Sequence, residues 1–113
     1  MRKDYLIKTY IDIYKTSYKE GELENVNGWK HRGFITAESP KEALNIFIEN
    51  ELYFDNVDIY QDDEVGIYAD VLVDEDNNQA GANAVERWKK GEITLYNANI
   101  LFRIHELKEI KSI

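Results

Sequence analysis

A strict alternation of side chains near the amino terminus constrains the fold more than any other feature of the sequence. Along the segment from Tyr5 to Thr16, β-branched and apolar residues fall on odd positions, while charged residues and tyrosines fall on most even ones. A period of two places the two sets on opposite faces of an extended strand. The pattern therefore predicts a strand with one buried face. The residues expected on that face are Ile7, Thr9, Ile11 and Ile13.

The clearest local signal is a helix start at Ser39. A serine at the N-cap accepts a hydrogen bond from a backbone N–H of the first turn, and Glu42 can reach back toward the cap. Pro40 loses no hydrogen bond at the first helical position. Apolar residues then recur at helical spacing, which predicts an amphipathic helix from Pro40 to about Glu51. Its apolar stripe consists of Leu44, Phe47, Ile48 and Leu52.

Weaker alternations predict the remaining strands. The last is long enough that we expect a bend or bulge near Asn97-Ala98-Asn99. The polar stretch 17–28 ends in the turn-forming dipeptide Asn27-Gly28, so we expect a loop of about eleven residues between the first two strands. Gly33 indicates either a bulge or a close backbone approach. The predicted strands are Trp29–Ala37, Val57–Gln61, Val65–Val73 and about Glu92–Leu107.

A second helix is predicted to follow the acidic stretch 74–78, whose carboxylates would complement the helix dipole, and to stop at Gly91. Its apolar face consists of Ala80, Ala84, Val85 and Trp88. Strands with one apolar face need a cover, and each helix offers one apolar stripe. We therefore predict a single compact α+β domain over residues 1–113. It should have a mainly antiparallel sheet of four to five strands, with two helices packed on one face.

Composition excludes several classes of function. The chain has no cysteine, which excludes disulfide scaffolds, thiol catalysis and cysteine-ligated metals. Its net charge of -8 opposes non-specific binding to DNA, RNA or an anionic membrane. No apolar run approaches the roughly 18 residues of a membrane span. We therefore expect a cytoplasmic protein with neither nucleic acid nor membrane as a direct partner.

Negative charge is concentrated in one quarter of the chain. The segment from Glu49 to Asp76 has eleven acidic residues and no lysine or arginine, so the remainder carries a net charge of +3. Such a block either keeps the protein soluble or docks on a basic partner, and in a sharper version its carboxylates imitate the phosphates of a nucleic acid. The candidate partner-binding residues are Glu49, Glu51, Asp55, Asp58, Asp62, Asp63, Glu64, Asp70, Asp74, Glu75 and Asp76.

Tyrosine is the second compositional anomaly, with eight residues in 113. Tyr10, Tyr14 and Tyr18 share the parity of the outward face of the first strand, if that strand continues. Tyrosine offers a large contact area at low entropic cost, so these three are the second-choice contact residues. A helix or loop of the same domain could equally cover them.

Signals for catalysis and metal binding are weak, and we predict no catalytic residue, metal site or cofactor. His31 and His105 are the only imidazoles, and each lies in a strand pattern. Asp74-x-Asp76-x-Asn78 matches the start of a calcium loop, but Gln79 replaces the required glycine and Val85 the required bidentate glutamate. Two short clusters combine cations with aromatic rings, which is a weak signal for nucleic-acid binding. They are Lys30-His31-Arg32 and Arg87-Trp88-Lys89-Lys90.

The sequence thus predicts a non-enzymatic acidic protein that docks on the basic surface of a protein partner, one that itself binds nucleic acid in the sharper version. In character the chain resembles the small, acidic, cysteine-free proteins of bacteriophages and mobile elements, on the basis of size, charge and residue usage. That resemblance implies an inhibitor of the anti-CRISPR or anti-restriction type. The alternative is a small-ligand-binding or regulatory module that uses a tyrosine-rich sheet face.

Overall fold

Five strands and two helices make up the described part of the chain. The computed structural model describes residues 2–62 and 66–107, and only the backbone of Leu23, Asn27 and Asp62. The strands form an antiparallel sheet in the order β2-β1-β5-β4-β3, which confirms a sheet-rich α+β fold. The elements are β1 (Lys3–Ser17), β2 (Gly21–Ala37), α1 (Pro40–Asn50), β3 (Ile59–Asp62), β4 (Gly66–Val73), α2 (Ala82–Lys89) and β5 (Leu95–Leu107).

The alternation in β1 has the predicted consequence. Its odd-numbered side chains from Tyr5 to Ile13 are buried, and this side of the sheet is the inner face. The even-numbered side chains, such as Lys8 and Tyr10, define the outer face. Since β1 pairs with β2 on one side and with β5 on the other, both neighbours inherit the same division into two faces. Long paired strands also make the molecule elongated, with extents of 62 × 25 × 24 Å.

The predicted long loop between the first two strands is wrong. β2 begins at Gly21, directly after a turn at residues 18–20, so most of the polar stretch is strand. Gly21 has a φ of 74°, the left-handed conformation that glycine adopts at little cost. Pairing with β1 along the hairpin stabilises a polar segment that lacks a strand-like pattern of its own.

The dipeptide Asn27-Gly28 lies inside β2 rather than in a turn. A Cβ atom at Gly28 would lie 2.7 Å from the carbonyl oxygen of Ile11, so glycine permits a close approach of the two backbones. The irregularity falls beside it, because Ile13 faces Asn27 while Tyr14 faces Asn25. One residue of β2 is therefore extra at this point, as in a β-bulge, and another is extra where Lys15 faces Glu24 and Thr16 faces Glu22.

Of the bend or bulge predicted in β5, the bulge is wrong. Residues 95–107 pair with β1 without a register shift, and residues 96–102 pair with β4 in the same way. β5 lies between two strands that both follow its register, so an extra residue would disrupt two ladders instead of one. The irregularity occurs instead in β2, which lies at the edge of the sheet.

Helix α1 begins at Pro40 as predicted and covers the inner face, but the Glu42 carboxylate accepts from the backbone N–H of Glu38 at 3.3 Å rather than from that of Ser39. The hydroxyl oxygen of Ser39 accepts a hydrogen bond from the backbone N–H of Glu42 at 3.1 Å. The side chains of Leu44, Phe47 and Ile48 are buried in the core. Phe47 packs against Gly33 of β2, where a Cβ atom would lie 3.0 Å from the ring, so the glycine makes room for a side chain rather than for the expected second backbone.

Helix α2 differs from the prediction at its start. It begins at Ala82 after the N-cap Gly81, and its first turn has no acidic residue, so residues 74–78 do not complement its dipole. The predicted stop is confirmed, since Gly91 has a φ of 77° and donates to the carbonyl of Trp88. None of the helix residues is buried, and the Trp88 ring meets Tyr18 beyond the end of β1. Packing of both helices on one face is therefore not confirmed.

Burial and capping of α1 should contribute unequally to stability. Ile48→Ala removes buried methyl groups and leaves a cavity, so we expect a loss of about 2–4 kcal/mol in the free energy of unfolding. Ser39→Ala removes one cap, for a loss of about 1 kcal/mol. Glu49→Ala on the exposed side of the same helix is the control, with a change within about 0.5 kcal/mol. Chemical denaturation measures all three, and equal losses for Ile48 and Ser39 would contradict the assigned burial.

Candidate functional site

Most of the acidic segment lies on the inner-face side of the sheet. Glu49 belongs to the last turn of α1, and Glu51 is its C-cap. The chain then passes through Phe54, whose buried side chain belongs to the core, and exposes Asp55 next to it. Glu49 and Asp55 line the same depression of about 220 Å³. The segment after α1 therefore carries its carboxylates across the surface that covers the core.

A second acidic loop is attached to the first by a pair of hydrogen bonds. The Gln79 side chain accepts from the backbone N–H of Asp55 at 2.8 Å and donates to the carbonyl of Asp55 at 2.7 Å. Gln79 also bridges to Val73 at the end of β4. Asp74 and Glu75 line a depression with the inner-face residue Ile13, which places this loop on the same side as α1.

The second loop is held in place by its own first carboxylate. One oxygen of Asp74 accepts from the backbone N–H groups of Asp76 at 2.9 Å and Asn78 at 3.0 Å. These two hydrogen bonds give Asp74 a structural role that requires no bound cation. We name the combined patch the acidic surface. It consists of Glu49, Glu51, Asp55, Asp74, Glu75 and Asp76.

The other five candidate acids do not join this patch in the described structure. Asp70 lies in β4 on the outer face, opposite Asn99. Asp58 precedes β3 at the edge of the sheet, and Asp62 ends that strand with only its backbone described. Asp63 and Glu64 lie outside the described residues. The eleven acids that are contiguous in sequence are thus divided by the sheet.

The acidic surface has little internal charge compensation. Among the described residues, its only ion-pair contact joins Glu51 to the His31 ring, at 3.3 Å between carboxylate oxygen and Nε2. No lysine or arginine nitrogen lies within 4.0 Å of its other carboxylates in the ranges 2–62 and 66–107. These carboxylates are therefore available to a cationic partner.

Asp70 instead organises a polar network on the outer face. It accepts hydrogen bonds from the Tyr60 hydroxyl at 2.8 Å and from the side-chain amides of Asn99 at 2.9 Å and Asn97 at 3.2 Å. The Asn97 amide also donates to Glu22 of β2 at 2.9 Å. The network connects strands across the sheet, so a structural role accounts for Asp70.

The three candidate tyrosines do not have equivalent surroundings. Tyr10 and Tyr14 lie on the outer face of β1, and Tyr10 has the Lys30 ammonium 5.6 Å from its ring centre. Tyr18 lies in the turn beyond β1, where its ring meets Trp88 edge-on at 5.2 Å. An internal contact thus occupies Tyr18, whereas Tyr10 belongs to a second charged surface.

That second surface is a cluster of cations on the outer face. Lys8 of β1 faces Arg32 of β2 and Arg103 of β5, and Tyr10 faces Lys30. We name Lys8, Lys30, Arg32 and Arg103 the cationic cluster. Lys30 and Arg32 are neighbours in the sequence and belong to one predicted cation–aromatic cluster, whereas the sequence did not predict that Lys8 and Arg103 join them. Only the strand register brings the four together, although the even parity of Lys8 was a signal for its face.

Within residues 2–62 and 66–107, no three histidine, aspartate or glutamate side chains are placed to hold a metal ion. No helix in the same ranges is long and apolar enough to cross a membrane.

Comparisons with known proteins give no relative. No protein-family model matches the chain, and neither curated proteins nor solved structures give a significant match. What the protein does therefore has to be inferred from its own two charged surfaces.

The polar network makes a prediction about alkaline pH. Partial burial and the hydrogen bond to Asp70 raise the pKa of Tyr60 above its ordinary value of 10.0. Because the pKa is higher in the folded state, the contribution of Tyr60 to stability is complete below about pH 10 and is lost as the pH rises through the folded-state pKa.

Subtracting the tyrosinate absorbance of a Tyr60→Phe variant from that of the wild type isolates this ionisation. We expect a midpoint above 10. Tyr53→Phe gives the matched reference, because the Tyr53 side chain is 81% exposed. A Tyr60 midpoint at or below that of Tyr53 would contradict the network.

Proposed function

We propose that this protein is a non-enzymatic binding protein that docks its acidic surface on a basic surface of a protein partner in the cytoplasm. The observation that supports the proposal most is the uncompensated charge of the six carboxylates of that surface. They have one histidine contact and, within the described residues, no lysine or arginine contact. A basic partner would supply the missing counter-charges.

The way in which the carboxylates are held favours docking over simple solubility. A soluble surface needs only interspersed charges of both signs, and like charges held together cost free energy. Here the carboxylates sit on α1 and on two loops that Gln79 joins by two hydrogen bonds. Charges that are already positioned lose less entropy on binding and attract a basic partner over distance.

The sharpest form of the proposal is an inhibitor that imitates nucleic acid, of the anti-CRISPR or anti-restriction type. Carboxylates on a firm scaffold would then occupy the groove in which a partner binds phosphates. This form makes an additional demand, because the protein must compete with DNA or RNA for the same partner.

The alternative from the sequence, a small-ligand or regulatory module on the tyrosine-rich sheet face, has its own supporting observation. Tyr10 lines a depression of about 390 Å³ on the outer face, which is within the usual size range of small-ligand sites. Docking through the acidic surface and ligand binding on the outer face use opposite sides of the sheet, so one protein can do both.

The docking proposal can be tested with two variants of equal charge. The surface variant carries Glu49→Gln, Glu75→Gln and Asp76→Asn, and the control variant carries Glu20→Gln, Glu24→Gln and Glu38→Gln. Immobilised wild type and variants are exposed to cell extract, and retained proteins are quantified by mass spectrometry. We expect a basic protein that wild type and control retain, that the surface variant loses, and that added salt releases.

If both variants lose the retained protein equally, binding depends on net charge alone, and this result would contradict a docking surface. Retention that is insensitive to salt and to the surface variant would do the same. With the partner purified, displacement of labelled DNA or RNA tests the inhibitor form separately. Binding to the partner without displacement would leave docking in place and remove nucleic-acid imitation.

A further inference from the structure

The register of three neighbouring strands places like charges side by side on the outer face. Lys8 lies between Arg32 and Arg103 in one cross-strand row. Lys30 lies in the next row, opposite Tyr10. Adjacent strands are about 4.8 Å apart, so the Cα atoms of the three cationic residues in the first row lie within roughly 10 Å. Like charges directly opposite each other destabilise a sheet.

No carboxylate offsets this cost in the described structure. The chain has 22 acidic residues against 14 lysines and arginines, so anionic partners are plentiful. Nevertheless, none of the four cations has a carboxylate oxygen within 4.0 Å among residues 2–62 and 66–107. The only contact identified for them in those ranges is the Lys30 ammonium over the Tyr10 ring. An external anion would relieve the repulsion that the fold leaves uncompensated.

Three of the four cations line a shallow, open depression. Its volume is about 390 Å³, and its lining includes Lys8, Tyr10, Lys30 and Arg32. Below it, the buried Thr9 hydroxyl donates to the carbonyl of His31 at 3.1 Å, which fixes β1 against β2. Arginine can bind two oxygens of one phosphate, and lysine adds a flexible point charge.

An exposed aromatic ring lies beside the cations. Phe34 follows Arg32 by two residues on the same face of β2, and its side chain is 69% exposed. A phenyl ring with that exposure gains little from folding. It can stack on a planar ring of a ligand whose phosphate is held by the neighbouring cations.

The surroundings limit the size of the anion. Two residues beyond Tyr10 on the outer face, Asp12 lies in one row with Asn99 and Asp70. Two residues along a strand correspond to about 7 Å, so these carboxylates repel a polyanion that continues in this direction. The net charge of -8 acts against a long nucleic acid in the same way. The site therefore suits a compact anion.

We infer that the cationic cluster is a binding site for a small phosphorylated ligand. Arg32, Lys8 and the neighbouring cations bind the phosphate, and Phe34 stacks on an aromatic ring of the ligand. The ligand class is a phosphate ester of nucleotide size. This site lies on the opposite side of the sheet from the acidic surface and does not depend on the docking proposal.

Calorimetric titration with defined probes tests this inference. The probes are inorganic pyrophosphate, ribose 5-phosphate, adenosine monophosphate, unphosphorylated adenosine and a short single-stranded oligonucleotide. The site variant is Lys8→Gln with Arg32→Gln, and the control is Lys19→Gln with Lys90→Gln, two exposed lysines elsewhere. We expect adenosine monophosphate to bind at least about tenfold more tightly than adenosine. The site variant should bind the monophosphate about tenfold more weakly than the wild type does, whereas the control should bind it as tightly as the wild type.

Two further measurements keep the result interpretable. Without ligand, the site variant should melt at the same temperature as the wild type or higher, because repulsion is removed, and this confirms that it is folded. Phe34→Ala should weaken the binding of adenosine monophosphate and leave the binding of pyrophosphate unchanged. If ribose 5-phosphate binds as tightly as the monophosphate and Phe34→Ala has no effect, the ligand is a phosphate ester without a stacked ring.

Three outcomes would overturn the inference. The first is no binding of any phosphorylated probe at millimolar concentration, or equal binding by wild type and site variant. The second is a clear preference for the oligonucleotide over every small probe. The third is self-association at low salt that the site variant abolishes in sedimentation experiments, since the cluster would then bind the acidic surface of a second copy.

Discussion

The pairing of β1 between β2 and β5 is the constraint on which the rest of the structure depends. β1 makes a cross-strand ladder on each side over nearly its whole length. Its alternation buries Ile7 and Ile11 in the core that α1 completes and turns Lys8 and Tyr10 outward. A shift of one residue would turn this whole set over, burying a lysine and exposing isoleucines, so the register is strongly specified.

The same register sorts the charges of the molecule. α1 and the loops that cover the inner face carry uncompensated carboxylates, whereas the outer face near Lys8 carries uncompensated cations. The sheet lies between the two sets, so in the described residues they do not neutralise each other. If the surface charges served solubility alone, a surface with acidic and basic residues interspersed would be more stable. This separation is the physical basis of the two proposed binding surfaces.

The sequence was informative where a local pattern decides the structure. The alternation in β1, the cap at Ser39 and the glycine stop at Gly91 each depend on a few adjacent residues, and each prediction was confirmed. The turn predicted at Asn27-Gly28 was wrong because glycine can either adopt a positive φ or permit a close approach of another backbone. Only the contact with the carbonyl oxygen of Ile11 shows that the second role applies here. The start of β2 was missed because its first residues are polar and are ordered by their partner strand.

The candidate sites were less predictable, because pairing between strands rather than a local pattern decides which of their residues come together. The acidic block is contiguous in sequence, yet Asp70 and Asp55 end on opposite sides of the sheet. Conversely, Lys8, Arg32 and Arg103 are far apart in sequence and adjacent in space. Alternation gives the face of each side chain, but it does not give the neighbour across the strand. That neighbour depends on turn length and on the two extra residues in β2.

The most direct test of this account is a measurement of the register itself in the protein in solution. Backbone nuclear Overhauser effects in isotopically labelled protein report which residues are opposite each other across antiparallel strands. The account predicts cross-strand effects that pair Lys8 with Arg32 on one side and with Arg103 on the other. Effects that pair Ile7 or Thr9 with both arginines would place the arginines on the face opposite Lys8 and contradict the cationic cluster.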